Sequence, residues 1–200
     1  MKTLLHTLLQ SLLATAVLGI ICCGIYPAVV TAAARLCFPA QSRGSLVYAA
    51  DGVTVRGSRL LAQEFTSAGY FHPRPSAAGT GYDATSSGGT NYGPTSAKLA
   101  QEMTDLIAAY RKTEGLEANA AVPADAVTRS GSGLDPEISV SNARLQAARV
   151  ARSRRLSLAQ VTQILDAATR PRDLGALGEP GVNVLAANLA LDQLQPVPHP

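Results

Sequence analysis

The chain is expected to be a mixed α/β (α+β) protein: one N-terminal transmembrane helix, then a single small domain with a hairpin-containing sheet and several helices. Three observations predict this. From Thr3 to Ala34 there is no Asp, Glu, Lys or Arg. Asp51-Gly52 separates two β-prone runs, a strong short-range hairpin signal. Further on, apolar residues recur at helical spacing in several separate stretches.

Within the uncharged run, Leu8–Val30 is almost wholly apolar, with Leu8, Leu12, Val17, Gly19, Ile20, Gly24, Ile25 and Val30 along its length. About 20 apolar residues suffice to cross the hydrocarbon core as a helix, so the run can span with some tilt. Only helices and closed barrels satisfy their backbone hydrogen bonds in lipid. One isolated run therefore means one helix, bracketed by Lys2 and Arg35. Pro27 lies near its end, where a missing hydrogen bond is tolerated. The rival reading is a cleaved secretory signal, for which Ala32-Ala33-Ala34 offers an A-x-A-like site and Lys2 a thin positive start. A signal's apolar core is only about 7–15 residues long, and this one is roughly twice that, which favours an uncleaved anchor. Ile20-Ile21 before Cys22 argue against a lipoprotein signal. Lys2 and the α-amine before the span nearly balance Arg35 and Arg43 after it, so charge bias does not orient it. The expected organisation is a span over 1–35, a linker over 36–44, a domain over 45–195 and a tail over 196–200.

The chain beyond the span has the length of one ordinary domain. All but one of the 17 Lys and Arg, and all 14 Asp and Glu, come after residue 34, so this part is close to neutral. Such balance gives no sign of a nucleic-acid surface. Cys22 and Cys23 fall in the span and Cys37 just beyond it, which leaves no disulfide framework in the domain. Small apolar residues in a packed helix is their ordinary role.

After the linker, Leu46, Val47 and Tyr48 precede Asp51-Gly52, and Val53 and Val55 come after it, with Gly57 as a candidate bulge. Tyr70–Thr95 is rich in Gly, Pro and hydroxyl residues. A structureless loop longer than about 12–15 residues is uncommon in a compact domain and is usually functional or disordered. Tyr70, Phe71, Tyr82 and Tyr92 argue against simple disorder. After Pro94 a helix begins, with Leu99, Met103, Leu106, Ile107 and Tyr110 as its apolar stripe and Gly115 past its end. Val122–Gly133 reads as a second loop. Asp135-Pro136 has the form of an N-cap with Pro at the first helical position. The helix it would open carries a basic face of Arg144, Arg149, Arg152, Arg154 and Arg155, expected to be solvated or to meet a partner. Ser157–Gln160 is a capping box that opens another helix, ended by Pro171. Val182–Leu194 reads as the last helix.

Catalytic motifs are missing. There is no GxxxxGK[ST] and no Asp-Lys-Thr-Gly-Thr. His6, His72 and His199 are too scattered for a metal centre. Ser130-Gly131-Ser132-Gly133 lacks the leading Gly of a nucleophile elbow, and His72 is the only plausible base for a Ser–His hydrolase. Ser130, Gly131, Ser132, Gly133 and Asp135 are a possible phosphate cradle at a helix start; a tight turn feeding an Asp-capped helix explains the same residues more simply. In His72-Pro73-Arg74-Pro75 each residue before proline is pushed extended, so His72 and Arg74 project from one stiff segment as a contact surface or a ligand site. The oxygens of Asp83–Asn91 suit a hard cation, and turn chemistry explains them equally well.

Several segments together resemble one family. They are the N-terminal span, RGSRLLAQEF from Arg56, GYFHPRPSA from Gly69, YDATSSGGTNYGPT from Tyr82, VPADAVTRSGSGLDPEIS from Val122, RVARSR from Arg149 and LGEPGVNVLAANLALD from Leu177. In this order they resemble the C subunit of the bacterial high-affinity potassium-transporting Kdp ATPase. Leu60-Leu61-Ala62-Gln63 departs from the family's Ile-Gly-Gln-like stretch, and Thr90-Asn91-Tyr92 from its Ser-Asn-Leu.

The resemblance implies an accessory, non-catalytic subunit in the bacterial inner membrane, single-pass, with its C-terminal domain outside the cytoplasm. Its implied partners are a channel-like A subunit, a P-type ATP-hydrolysing B subunit and a small accessory subunit, besides the lipid bilayer. It implies no tightly bound cofactor and no metal in this chain, since the complex handles ATP and potassium. It also implies a catalytic chaperone that raises the ATP affinity of the B subunit, with a nucleotide contact near Ser130–Asp135. Tyr70, Phe71, His72, Arg74, Tyr82, Asp83, Asn91 and Tyr92 are the expected subunit-contact residues. The alternative is a cleaved or anchored periplasmic binding protein or serine hydrolase.

Overall fold

The computed structural model describes residues 2–194, so the expected tail and His199 lie outside the described residues. The chain divides into two compact units between Leu46 and Val47. In the first, α1 (Lys2–Gly19) widens into a six-residue π-helical stretch, Ile20–Ile25, and continues as α2 (Tyr26–Cys37). Together these form a 36-residue helix, and none of its most apolar stretch is buried. At 1.5 Å per residue it is roughly 54 Å long, longer than the ~30 Å thickness of a bilayer's hydrocarbon core. Pro27 explains the widening. It has no N–H, and in a regular helix its ring presses on the carbonyl four residues back. The Tyr26 N–H reaches instead to Ile21 O, one residue further than usual, and relieves that clash. The helix runs on past Arg35 to Cys37 because Ala32–Ala34 favour it.

The boundary falls within β1 (Leu46–Tyr48), which forms a hairpin with β2 (Val55–Ser58). Its turn is longer than a two-residue Asp-Gly loop. The Asp51 carboxylate accepts from the Thr54 hydroxyl, the Thr54 amide and the Val53 amide, which hold its pKa down at about 2. The helix expected after Pro94 is α3 (Ala97–Glu114), ended by Gly115 at φ 68°. A short helical turn, α4 (Ala124–Val127), interrupts the second loop. Then come β3 (Glu137–Ser139), α5 (Val140–Arg154), α6 (Leu158–Ala168), β4 (Thr169–Arg170), β5 (Gly181–Asn183) and α7 (Val184–Leu194). The antiparallel order is β3-β5-β4, with Ile138 opposite Val182 and Thr169 on the other side of Val182. Ile138 and Val182 meet Ala147 and Val150 of α5, Val161 and Leu165 of α6 and Leu191 of α7 in one core.

Three expectations need correction. Asp135 is not an N-cap: its carboxylate accepts from the Glu137 N–H and from Arg74. The cap is Ser139, whose hydroxyl accepts from the Asn142 N–H after an intervening strand. The last helix begins at Val184, since Val182 and Asn183 pair in the sheet. The arginines of α5 are not one solvated face. Arg144, Arg152 and Arg155 are exposed, but Arg149 and Arg154 are buried.

Those two arginines hold the segment Ser67–Pro75, which belongs to no helix or strand. Buried backbone groups must find partners, and here side chains supply them. Arg149 Nη1 donates to Ala68 O at 2.7 Å and Tyr70 O at 2.8 Å, and Arg154 Nε to Gly69 O at 2.6 Å. Asn188 of α7 brackets Phe71, accepting from its N–H at 2.8 Å and donating to its carbonyl at 2.9 Å. Gln146 of α5 does the same for His72, at 2.7 and 3.0 Å. Two carboxamides thus replace a neighbouring strand, and Phe71 sits fully buried in the core. Arg149 also meets the Glu114 carboxylate at 3.0 Å, with both side chains almost completely enclosed. Replacing Arg149 by Met strands that carboxylate and two carbonyls, at a cost of about 3–5 kcal/mol. Removing the charge as well, in Arg149→Met/Glu114→Leu, recovers part of the loss but leaves the carbonyls unpaired. Thermal unfolding of the full chain in detergent should rank wild type above the double variant, and the double variant above Arg149→Met.

Candidate functional site

The two Gly/Ser-rich loops, separate in the sequence, are knotted together. The Ser76 hydroxyl donates to Gly133 O at 2.6 Å and accepts from the N–H groups of Ala78 and Tyr82. Ser132 O accepts from the Gly88 N–H at 2.9 Å and the Ser87 hydroxyl at 3.0 Å. The approach requires Gly133, at φ +70°, because a Cβ there would lie 2.7 Å from Ala78 N and Gly88 O. Arg129 ties both loops to α3 by bonding Ser76 O and Glu102.

The expected contact residues divide into two sets. Phe71 is core and presents no surface. Tyr70 donates its hydroxyl to Asp192 at 3.0 Å and lies under the Arg154 guanidinium, 4.6 Å from the ring centre. Arg74 pairs with Asp135 at 2.9 Å and does not project freely from its proline-flanked segment. Tyr82 donates its hydroxyl to Arg74 O, and burial pushes its pKa up to about 12. His72, half-buried, places Nε2 3.1 Å from Ser67 O. These five mainly hold the domain together. Asp83, Asn91 and Tyr92 lie nearer the surface. Asp83 accepts from the hydroxyl and amide of Thr85, which lower its pKa. Asn91 is in the left-handed region at φ 53°, and Tyr92 is 41% exposed.

In the Ser130–Asp135 loop, the amides of Ser130, Gly133 and Leu134 donate to Pro75 O, Ser130 O and Ser132 Oγ. No helix starts here, so there is no helix N-terminus to bind an anion. The buried Ser130 hydroxyl and Arg74 Nε have no hydrogen-bond partner. Among the described residues no three of His, Cys, Asp and Glu gather as a metal centre. Gln146, Asn188, Arg149 and Arg154, which position the Ala68–His72 segment, carry no sequence signal for that role. They are ordinary polar residues on amphipathic helices, and only the placement of a segment more than 70 positions away gives them a task.

One helix long and apolar enough to cross a membrane, followed by a small mixed α/β domain, is a build consistent with a single-pass membrane protein. Residues 8–193 match the family KdpC: K+-transporting ATPase, c chain, and the chain belongs to that family. A relative from Rhodospirillum rubrum is 51% identical over 200 residues, covering 98% of this chain and 100% of its own. One from Mycobacterium tuberculosis is 50% identical over 193 residues, covering 96% and 99%, and one from Gemmatimonas aurantiaca 50% over 192, covering 96% and 94%. Each bears the name Potassium-transporting ATPase KdpC subunit.

His72 gives this region a pH dependence. Burial, and secondarily the charge of Arg149, hold its imidazole below the ordinary histidine pKa of 6.5, against the opposing pull of Ser67 O. A lowered histidine pKa means that the unfolded chain takes up the proton more readily. Its stabilising contribution is therefore complete above about pH 6.5 and lost as the pH falls below that value. The unfolding midpoint of the full chain should drop over this window, and His72→Gln should flatten the drop.

Proposed function

We propose that this chain is a non-catalytic accessory subunit of an ATP-driven, high-affinity potassium uptake pump in the bacterial inner membrane. Its helix anchors it in a single pass, its C-terminal domain lies outside the cytoplasm, and its partners are a channel-like A subunit, a P-type B subunit and a small accessory subunit. The carrying observation is that the 36-residue apolar helix has no buried face of its own, in a chain about half identical to potassium-transporting ATPase subunits. Ala16, Gly19, Ile20, Cys23, Gly24, Ile25 and Ala28 line a shallow apolar hollow on it. Small residues let helix backbones approach closely in lipid, which suits packing against a membrane subunit. ATP and potassium are handled by the complex, and this chain holds no cofactor tightly.

The chain raises the ATP affinity of the B subunit by linkage. A domain that binds one pump conformation better than another shifts that equilibrium, and by reciprocity it changes affinity at a distant site. A direct nucleotide contact at Ser130–Asp135 is the second reading, favoured by the unpartnered Ser130 hydroxyl and Arg74 Nε. The internally bonded amides favour linkage instead. The test is co-purification through the tagged full chain in mild detergent. A P-type ATPase should travel with it, and complexes lacking the chain should need more ATP for half-maximal hydrolysis. A chain that is soluble without detergent and turns over substrate alone would establish the binding-protein or hydrolase alternative.

A further inference from the structure

Charge is unevenly spread beyond the apolar helix. Residues 35–60 carry four arginines against one acid, Asp51, whereas residues 61–200 carry 12 Lys and Arg against 13 Asp and Glu. The positive excess thus lies on the stretch that follows the helix, and Asp51 is engaged by the amides and hydroxyl of its own turn. Arg43, Arg56 and Arg59 are exposed and enter no ion pair among the described residues. The linker keeps the chain near the helix end. The Ser42 N–H donates to Phe38 O at 2.9 Å and the Ser45 N–H to Ala40 O at 3.0 Å, folding it back on itself just before β1.

β1 and β2 form a two-stranded sheet, an arrangement that is marginal in water unless a face is covered. The Ala49 N–H donates to Thr54 O at 2.8 Å, which sets Tyr48 opposite Val55 on one face, with Leu46 two residues back on the same side. Tyr48 is 47% exposed, Val55 50% and Leu46 41%. An acidic lipid surface takes up this combination: apolar groups enter the acyl boundary, tyrosine sits at headgroup depth, and arginines reach the phosphates. We propose that the β1–β2 hairpin lies on the bilayer that its own chain crosses, with Leu46, Tyr48 and Val55 in the headgroup layer and Arg43, Arg56 and Arg59 on acidic phospholipids. The inference rests on the anchoring proposed above and adds a second, superficial contact with the same membrane. A protein pocket here would have to supply carboxylates for three guanidinium groups or bury them unpaired, whereas the lipid is already beside the folded linker.

The chain has no Trp, so Tyr48→Trp puts a single fluorescent reporter on this face. The full-length variant is reconstituted in vesicles of equal parts phosphatidylcholine and phosphatidylglycerol, with lipids brominated high on the acyl chain as quencher. Its emission should be quenched, and the quenching should fall roughly two-fold or more when Arg43→Gln/Arg56→Gln/Arg59→Gln is added or phosphatidylcholine is used alone. Leu158→Trp, at a 56% exposed position on α6, is the control and should stay unquenched. Equal quenching at both positions, or none at position 48 in a chain that stays with the vesicles through an alkaline wash, would overturn the hairpin contact and leave the anchor intact. Release of the chain by that wash would overturn both. In the intact ATPase the quenching at position 48 should persist; its loss there would assign the face to another subunit and refute the proposal.

Discussion

Four side chains standing in for a missing strand hold this domain together. Ala68–His72 runs along the core, with Phe71 inside it and no sheet to join, and Arg149, Arg154, Gln146 and Asn188 satisfy its backbone. An unsatisfied buried backbone group costs about 1–3 kcal/mol, so a segment stripped of these partners would not stay inside. Because it stays, Phe71 fills the core, Tyr70 reaches Asp192, and Arg74 is delivered to Asp135. The loop-to-loop knot at Ser76 and Gly133 is anchored by the same segment.

The arrangement explains how a region rich in Gly, Pro and Ser is ordered without regular structure. Its irregular path is specified by side chains from helices far along the chain. Arginine suits this work because its planar head offers five donors and is weakly hydrated. Arg149 uses most of that capacity, serving two carbonyls, Gln146 and the Glu114 carboxylate at once. Consequently much of the polar surface that looks like a binding site in one dimension is consumed in building the domain. The apolar helix, much of the Asp83–Tyr92 loop and the β4–β5 hairpin are among the parts that stay exposed.

Much of the fold was legible in the sequence where local physics decides it. The uncharged run, the α3 stripe with its terminal glycine, and the Ser157 capping box each appear where propensity and periodicity put them. The misplaced cap at Asp135 shows where local rules give way. Asp-Pro is a good helix start, but β5 claims Glu137–Ser139 as a strand and Ser139 takes over the cap. Helical periodicity cannot reveal that Arg149 and Arg154 face inward, since burying a guanidinium depends on carbonyls some 80 residues earlier. The candidate site was legible only as a set of loops. Which residues brace them and which face outward is decided by tertiary contacts.

Amide hydrogen exchange across residues 67–75 of the full chain tests the central claim most directly. If carboxamides and guanidinium groups truly replace a strand, the Phe71 and His72 amides exchange as slowly as those of Val150 and Val161 in the core helices, opening only with the whole domain. Exchange of these two amides as fast as in the exposed 171–179 hairpin would contradict the account.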